Sequence, residues 1–236
     1  MADLFDDVPA RVLAVYAHPD DADVASAGTL ARWARAGSEV HLVVCTDGAR
    51  GTSDPDTDTD TLALERGDEV AAASALVGVA SAENLGFGDG DLENDVRFRA
   101  LLVERIRRHR PDLVMGHDPT AVFFGEHYFN HRDHRSAGWA LLDAVSPAAG
   151  LPHYFPAAGS AHQVPLVFLS GTLEPDVWVQ VDETIDVKVA AVDCHKSQFA
   201  HRGGWASEAI RLRAADEGRG AGVAYAESFR RLRMAE

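Results

Sequence analysis

Cysteine is scarce in this chain. Cys45 and Cys194 are the only two in 236 residues, too few for a disulfide framework, and their scarcity points to a reducing, cytoplasmic setting. No apolar run approaches the ~20 residues of a membrane span. The first residues, Met1-Ala2-Asp3-Leu4-Phe5-Asp6-Asp7, lack the basic and apolar stretches of a signal peptide. Basic side chains are also in deficit: 22 Lys and Arg against 37 Asp and Glu leave a formal net charge of −15. That balance excludes the basic face demanded by nucleic acids and anionic membranes. No Gly-x-Gly-x-x-Gly follows the first apolar run, which sets aside a dinucleotide-dependent oxidoreductase. Gly-x-Ser-x-Gly is missing too, which sets aside a serine hydrolase of the nucleophile-elbow type. What remains, at 46% hydrophobic and 25% charged residues, is an ordinary globular composition, expected to form a single domain over residues 1–236.

The pattern along the chain alternates strand and helix. Arg11 to Ala17 is a short apolar run with β-branched residues and reads as a buried strand. Ala22 to Ala36 spaces Val24, Leu30 and Trp33 as a helix does, and Gly37 ends it. Glu39 to Thr46 is the next strand and Asp47 to Gly51 a turn. Thr52 to Asp60 is a polar, acidic loop, and Thr61 to Val77 an Ala-rich helix. Asn84 to Phe87 reads as a brief strand, with a turn at Gly88 to Asp91. Asp91 is expected to cap a helix from Leu92 to Arg110, which Pro111 stops. Asp112 to His117 is a fourth strand, Asp133 to Val145 a helix, Pro165 to Ser170 and Val177 to Val181 strands, and Thr184 to Cys194 a helix. Val223 to Leu232 fits strand or helix equally well. The alternation predicts a parallel sheet with helices on both faces. Ligands of such sheets bind beyond the carboxyl ends of the strands, where His18, Asp47, Asp89 and His117 all fall.

Two stretches concentrate the chemistry. Ala17-His18-Pro19-Asp20-Asp21-Ala22-Asp23 places one imidazole and three carboxylates directly after the first strand. Asn130-His131-Arg132-Asp133-His134-Arg135 places two imidazoles and a carboxylate within four residues, and His131 and His134, three apart, share a helix face. A divalent metal with open positions takes such a mixture of nitrogen and oxygen donors. A carboxylate left off the metal is available as general base. The residues alone leave open which of Asp20 and Asp21 has which task. His41, His109, His153, His162 and His201 lie outside both clusters and read as surface or internally satisfied side chains.

His-Pro-Asp-Asp after the first strand, with His-x-Asp-His later, resembles the LmbE-like (PIG-L-type) zinc-dependent deacetylases. Thr46-Asp47-Gly48, Arg66 with Glu69, Leu85 to Gly90, His195-Lys196-Ser197-Gln198 and Ala226-Glu227-Ser228-Phe229 support the likeness, which extends from about Val12 to Leu232. It implies a Rossmann-like three-layer α/β fold with a mostly parallel sheet. It also implies hydrolysis of the N-acetyl group of an amino-sugar glycoside, or of an amide in a mycothiol S-conjugate. By the same resemblance His18, Asp21 and His134 hold one Zn2+ (Fe2+ also fits), and Asp20 is the general base. His131 stabilises the oxyanion or protonates the amine, with Asp133 holding its ring. Arg66 and Asp89 contact the sugar, and homo-oligomers are common. The chain departs from the family in having Asp23 where Glu is frequent, Arg132 where Pro is frequent, and a longer segment before His131. That segment, Thr120 to Asn130, contains Phe123, Phe124, Tyr128 and Phe129 and is placed to cover the pocket or to pack on the sheet edge.

Two other classes compete. A metal phosphoesterase would use the same residue types around two ions. A metal-dependent sugar-binding module would bind without releasing acetate.

Overall fold

The computed structural model describes residues 3–200 and 204–234. A seven-stranded sheet forms its centre, in the order β3-β2-β1-β4-β7-β9-β8. Strands β1 (Arg11–Tyr16), β2 (Glu39–Thr46), β3 (Ser81–Phe87), β4 (Leu113–His117) and β7 (Leu166–Ser170) run parallel. β8 (Val177–Gln180) and β9 (Ala226–Arg233) complete the edge with antiparallel pairings. The sheet is therefore mostly parallel, as the alternating pattern demands.

Strand β1 shows why the layers form. Val12, Ala14 and Tyr16 point into one apolar cluster, and Leu13 and Val15 into the other. A strand that is buried on both faces needs such a continuous apolar run. Helices α1 (Asp21–Arg35), α2 (Thr59–Val77) and α5 (Ile185–Cys194) cover the first face through Leu30, Trp33, Val77 and Ala191. Helices α3 (Val96–His109) and α4 (Arg132–Asp143) cover the second through Phe98, Leu102, Ile106 and Leu141. The result is the three-layer α/β architecture. No helix of the described residues is long and apolar enough to cross a membrane.

The chain leaves β1 for β2 on one side, while β4 lies on the other. The carboxyl ends of β1 and β4 thus flank the point where the strand order reverses, the usual ligand crevice of such sheets. Two glycines bring α4 close to this point. A Cβ at Gly138 of α4 would lie 2.6 Å from the His117 carbonyl oxygen, and one at Gly116 of β4 would lie 2.6 Å from Leu141 Cδ2. His134 sits one turn before Gly138 on the same face of α4.

Several boundaries differ from the sequence reading. Helix α3 begins at Val96, not Leu92, and Asp95 is its cap: its Oδ1 accepts from the Phe98 N–H at 2.7 Å. Asp91 does not cap it, because Asp91 pairs with Arg50 and the next N–H, of Leu92, bonds Asp133. Strand β3 starts three residues earlier than expected, at Ser81. Helix α2 takes in Thr59 and Asp60, with Asp58 accepting from the N–H groups of Asp60 and Thr61. The ambiguous Val223 to Leu232 stretch is largely strand β9. A further helix, α7 (Trp205–Ala221), packs Ala206 and Ile210 against Val189 and Val192 of α5. Residues 120–130 form a small hairpin, β5 (Phe123–Phe124) with β6 (Tyr128–Phe129).

The close approach of α4 to β4 yields a test. Ala at position 138 would gain up to ~1 kcal/mol of helix propensity, yet its methyl meets a backbone oxygen that cannot swing aside. Gly138→Ala is expected to lose about 1–2 kcal/mol net in urea denaturation. A variant as stable as the parent would refute the close-packing account.

Candidate functional site

The turn after β1 is fixed by its own residues. The Ala17 carbonyl accepts from Thr46 N–H and Oγ1–H, both at 2.9 Å. The Asp21 Oδ2 accepts from the His18 N–H at 2.7 Å. Asp21 then opens α1, where a helix N-terminus favours a carboxylate. From the other side of the crevice, the segment after the hairpin delivers His131 and His134 at the start of α4.

Three donor groups converge there. His18 Nδ1 lies 3.1 Å from Asp21 Oδ2 and 3.1 Å from His134 Nε2, and His134 Nε2 lies 3.1 Å from Asp21 Oδ1. Ligands about 2.0–2.1 Å from a tetrahedral ion are separated by about 3.3 Å, so the triangle has the size of a metal's ligand face. The proton positions agree with that use. Asn130 Nδ2 donates to the Ala121 carbonyl at 2.7 Å, which fixes its amide and turns Oδ1 toward His134 Nδ1 at 3.0 Å. His134 therefore has its proton on Nδ1, and its Nε2 lone pair faces the triangle. His18 Nε2 lies between Asp89 Oδ1 at 3.2 Å and Asp133 Oδ2 at 3.4 Å, which leaves Nδ1 as the donor. The residues present fit a divalent cation.

The electrostatics point the same way. Burial opposes charge on His18, but Asp21, with help from Asp133 and Asp89, outweighs it and pushes the imidazole up to about 12. The carboxylates around this imidazole make the crevice electronegative, which favours a cation. The two adjacent carboxyls are driven apart. Burial works against the Asp21 charge, but His134, His18 and His117 outweigh it and hold Asp21 well below the usual range. Burial and the Asp21 charge raise Asp20, against the pull of Arg66. The two neighbouring carboxyls are therefore shifted in opposite directions by their surroundings. The geometry agrees: Asp21 faces the imidazoles, while Asp20 Oδ1 is 2.6 Å from Arg66 Nη2.

The remaining expected residues have definite places. His131 Nδ1 accepts from the Asp133 N–H at 3.2 Å, so its proton sits on Nε2. Burial and the neighbouring His18 charge lower its pKa, which favours this neutral form. The Asp133 carboxylate does not hold the His131 ring, as the sequence reading had it. Its oxygens accept from the N–H groups of Gly90 at 2.7 Å and Leu92 at 3.2 Å, and face His18. The ring is met by the Asp133 main chain because His131 is the helix cap and Asp133 lies two residues on. Arg66 is buried, bonded to Asp20 and to the Gly48 carbonyl, and Asp89 accepts from the Arg50 N–H besides facing His18. Both border the cleft, but the structure gives each an intramolecular task.

Asn130 was part of the quoted motif without a role; its signal is the four-residue offset from His134. His117, at the end of β4, accepts from the Ala17 N–H at 3.1 Å and stacks on His134 with centroids 4.1 Å apart. Burial and the His134 charge bring its pKa down to about 4, against Asp21. Asp23 lies 2.8 Å from Nε2 of the fully buried His195, away from the triangle. His41 and His162 are satisfied by Ser81 and the Pro111 carbonyl, and His201 lies outside the described residues.

Comparison with known proteins points to one family. The family model "PIG-L: GlcNAc-PI de-N-acetylase" matches residues 13–145. The diacetylchitobiose deacetylase of Thermococcus kodakarensis is 34% identical over 199 residues, covering 83% of this chain and 72% of that protein. The 1D-myo-inositol 2-acetamido-2-deoxy-alpha-D-glucopyranoside deacetylase 2 of Saccharopolyspora erythraea is 33% identical over 178 residues, covering 65% and 62%. The structure of N,N'-diacetylchitobiose deacetylase from Pyrococcus horikoshii superposes with a TM-score of 0.87 at 27% identity, over 97% of this chain and 88% of that one. With the motif, the fold and these relatives in agreement, the chain belongs to the GlcNAc-PI de-N-acetylase (PIG-L) family.

Proposed function

We propose that the chain hydrolyses the N-acetyl group of an amino-sugar glycoside, releasing acetate and the free amine, with one zinc ion held by His18, Asp21 and His134. The observation that carries this is the 3.1 Å triangle of two imidazole nitrogens and one carboxylate. The two curated relatives share an N-acetylated glucosamine unit in their names, and the cleft suits a hydroxyl-rich ligand. His18, Asp20, Arg50, Arg66, Asp89 and His131 border it.

Held by His18, Asp21 and His134, a zinc ion would supply Lewis-acid chemistry toward the amide carbonyl and the attacking water. Asp20 is the group that accepts the proton of the attacking water. Its raised pKa makes it a better acceptor than an ordinary carboxylate. The Arg66 guanidinium, 2.6 Å away, fixes Asp20 in place and favours its ionised form. The Nε2–H of His131 points from the helix cap as a donor to the carbonyl oxygen while negative charge builds there. The proton held by Asp20 then serves the departing amine nitrogen, so that one water is consumed for each C–N bond broken.

Two measurements test this reading. Asp20→Asn keeps the triangle intact and is expected to reduce acetate release from N-acetylglucosaminides by about 10²–10⁴-fold while zinc binding persists. Full activity in that variant would remove Asp20 from the role. Asn130→Ala removes the acceptor that sets the His134 proton. Calorimetric titration of chelator-stripped protein with zinc is expected to show affinity about 10–100-fold weaker than the parent. Unchanged affinity would mean that His134 is not a ligand.

A further inference from the structure

Two cavities meet at the candidate metal centre. The first is the polar cleft just described, about 360 Å³. The second is larger, about 490 Å³, and lies on the opposite side of Asp21 and His134. Asp21, His134 and Tyr128 border both. His18, Asp20 and His131 border only the first, and His117 and Asn130 only the second. The walls of the second are of a different kind. Val24 and Ala25 follow Asp21 by three and four residues on the same face of α1. Phe124 and Tyr128 close it from the hairpin, Gly171 from the turn after β7, and Arg213 of α7 stands at its border, paired with Glu217 at 2.9 Å.

We propose that this second cavity seats the acyl group of the substrate and admits N-acyl chains longer than acetyl. The inference rests on the N-deacetylase reading and extends it. An amide attacked at the triangle has two ends. Its nitrogen must face Asp20, the group that returns the proton to it, and Asp20 borders only the polar cleft, which places the sugar there. The acyl end then lies across Asp21 and His134, against Val24, Ala25 and Phe124. An acetyl methyl is comparable in size to one water, which occupies roughly 30 Å³. The cavity has room for several more methylenes, and Val24, Ala25 and Phe124 reward each one buried against them, while Ser170, Thr172 and Arg213 supply polar wall beside them.

The hairpin explains how this space arises. Residues 120–130 hold Phe124 and Tyr128 over the crevice, with Asn130 N–H bonded to the Val122 carbonyl at 2.8 Å. The hairpin therefore roofs the site instead of packing on the sheet edge.

The test uses the zinc-loaded chain with glucosamines N-acylated by acetyl, propionyl, butyryl and hexanoyl groups, read by release of free amine. kcat/KM is expected to rise about two- to fourfold per methylene as far as butyryl. Calorimetry with acetate and hexanoate supplies a second readout, in which hexanoate is expected to bind at least tenfold more tightly. Ala25→Leu fills the cavity from α1 and is expected to lower the butyryl-to-acetyl ratio of kcat/KM at least tenfold. Should that variant fail to fold, Thr172→Phe fills the same space from the loop after β7. Acetyl turnover with a tenfold drop at propionyl, and equal affinity for the two carboxylates, would overturn the proposal while leaving the deacetylase reading intact. Failure to cleave any of the four amides would sink the deacetylase reading instead, and the carboxylate affinities would still decide the cavity.

Discussion

Everything in this molecule converges on one electrostatic arrangement: a carboxylate and two imidazoles, drawn from segments 113 residues apart, brought within 3.1 Å of one another. Like groups at that distance do not gather by themselves. The two imidazoles each meet a partner at the far nitrogen: His134 Nδ1 bonds Asn130, and His18 Nε2 lies 3.2 Å from Asp89 and 3.4 Å from Asp133. The fold supplies the remainder. Strand β1 is buried on both sides, so the turn after it is anchored, and the glycines of β4 and α4 allow the second cluster to come near enough.

The acidic surroundings are graded rather than uniform. Asp21 stays ionised because three imidazoles surround it, whereas Asp20, one residue on the N-terminal side, is held between burial and Arg66. A single step along the chain thus reverses the direction in which the protein shifts a carboxyl. The difference comes from direction: one side chain faces the crevice between β1 and β4, and the other faces Gly48 and α2. Deeper in the protein, Glu227 plays a purely architectural part. It accepts from the N–H groups of Gly28 and Thr29 and pairs with the buried Lys188, so β9, α1 and α5 are joined behind the site.

The sequence made the centre of the sheet legible because apolar runs and turn residues there agree with tertiary demand. The two motifs were legible because metal chemistry needs those residue types in that order. The start of α3 was not, since Asp91 and Asp95 are both good caps, and the choice falls to Asp133, which takes the Leu92 N–H. Helix α7 has few large apolar residues. Its buried positions, Ala206, Ile210, Ala214 and Gly218, recur every four residues but are mostly small, so they contrast little with the exposed Trp205 and Leu212. Strand β9 hides its pattern because Arg230, Arg231 and Arg233 lie along it. The resemblance implies sugar contacts for Arg66 and Asp89, and both border the cleft; their partners inside the chain, Asp20 and the Arg50 N–H, are set by the fold and are not legible in a motif.

Asp133 has a consequence that reaches past its own position. Its main chain meets one histidine, and its carboxylate joins a second histidine to the loop bearing Gly90 and Leu92. The loop on the cleft's rim is thereby tethered to the His18 ring of the triangle. Losses at His18, the 88–92 loop and the helix cap would therefore not sum as independent defects. The pocket stands or collapses as one keystone arch, and an evolving chain could reshape its hairpin roof far more freely than this joint.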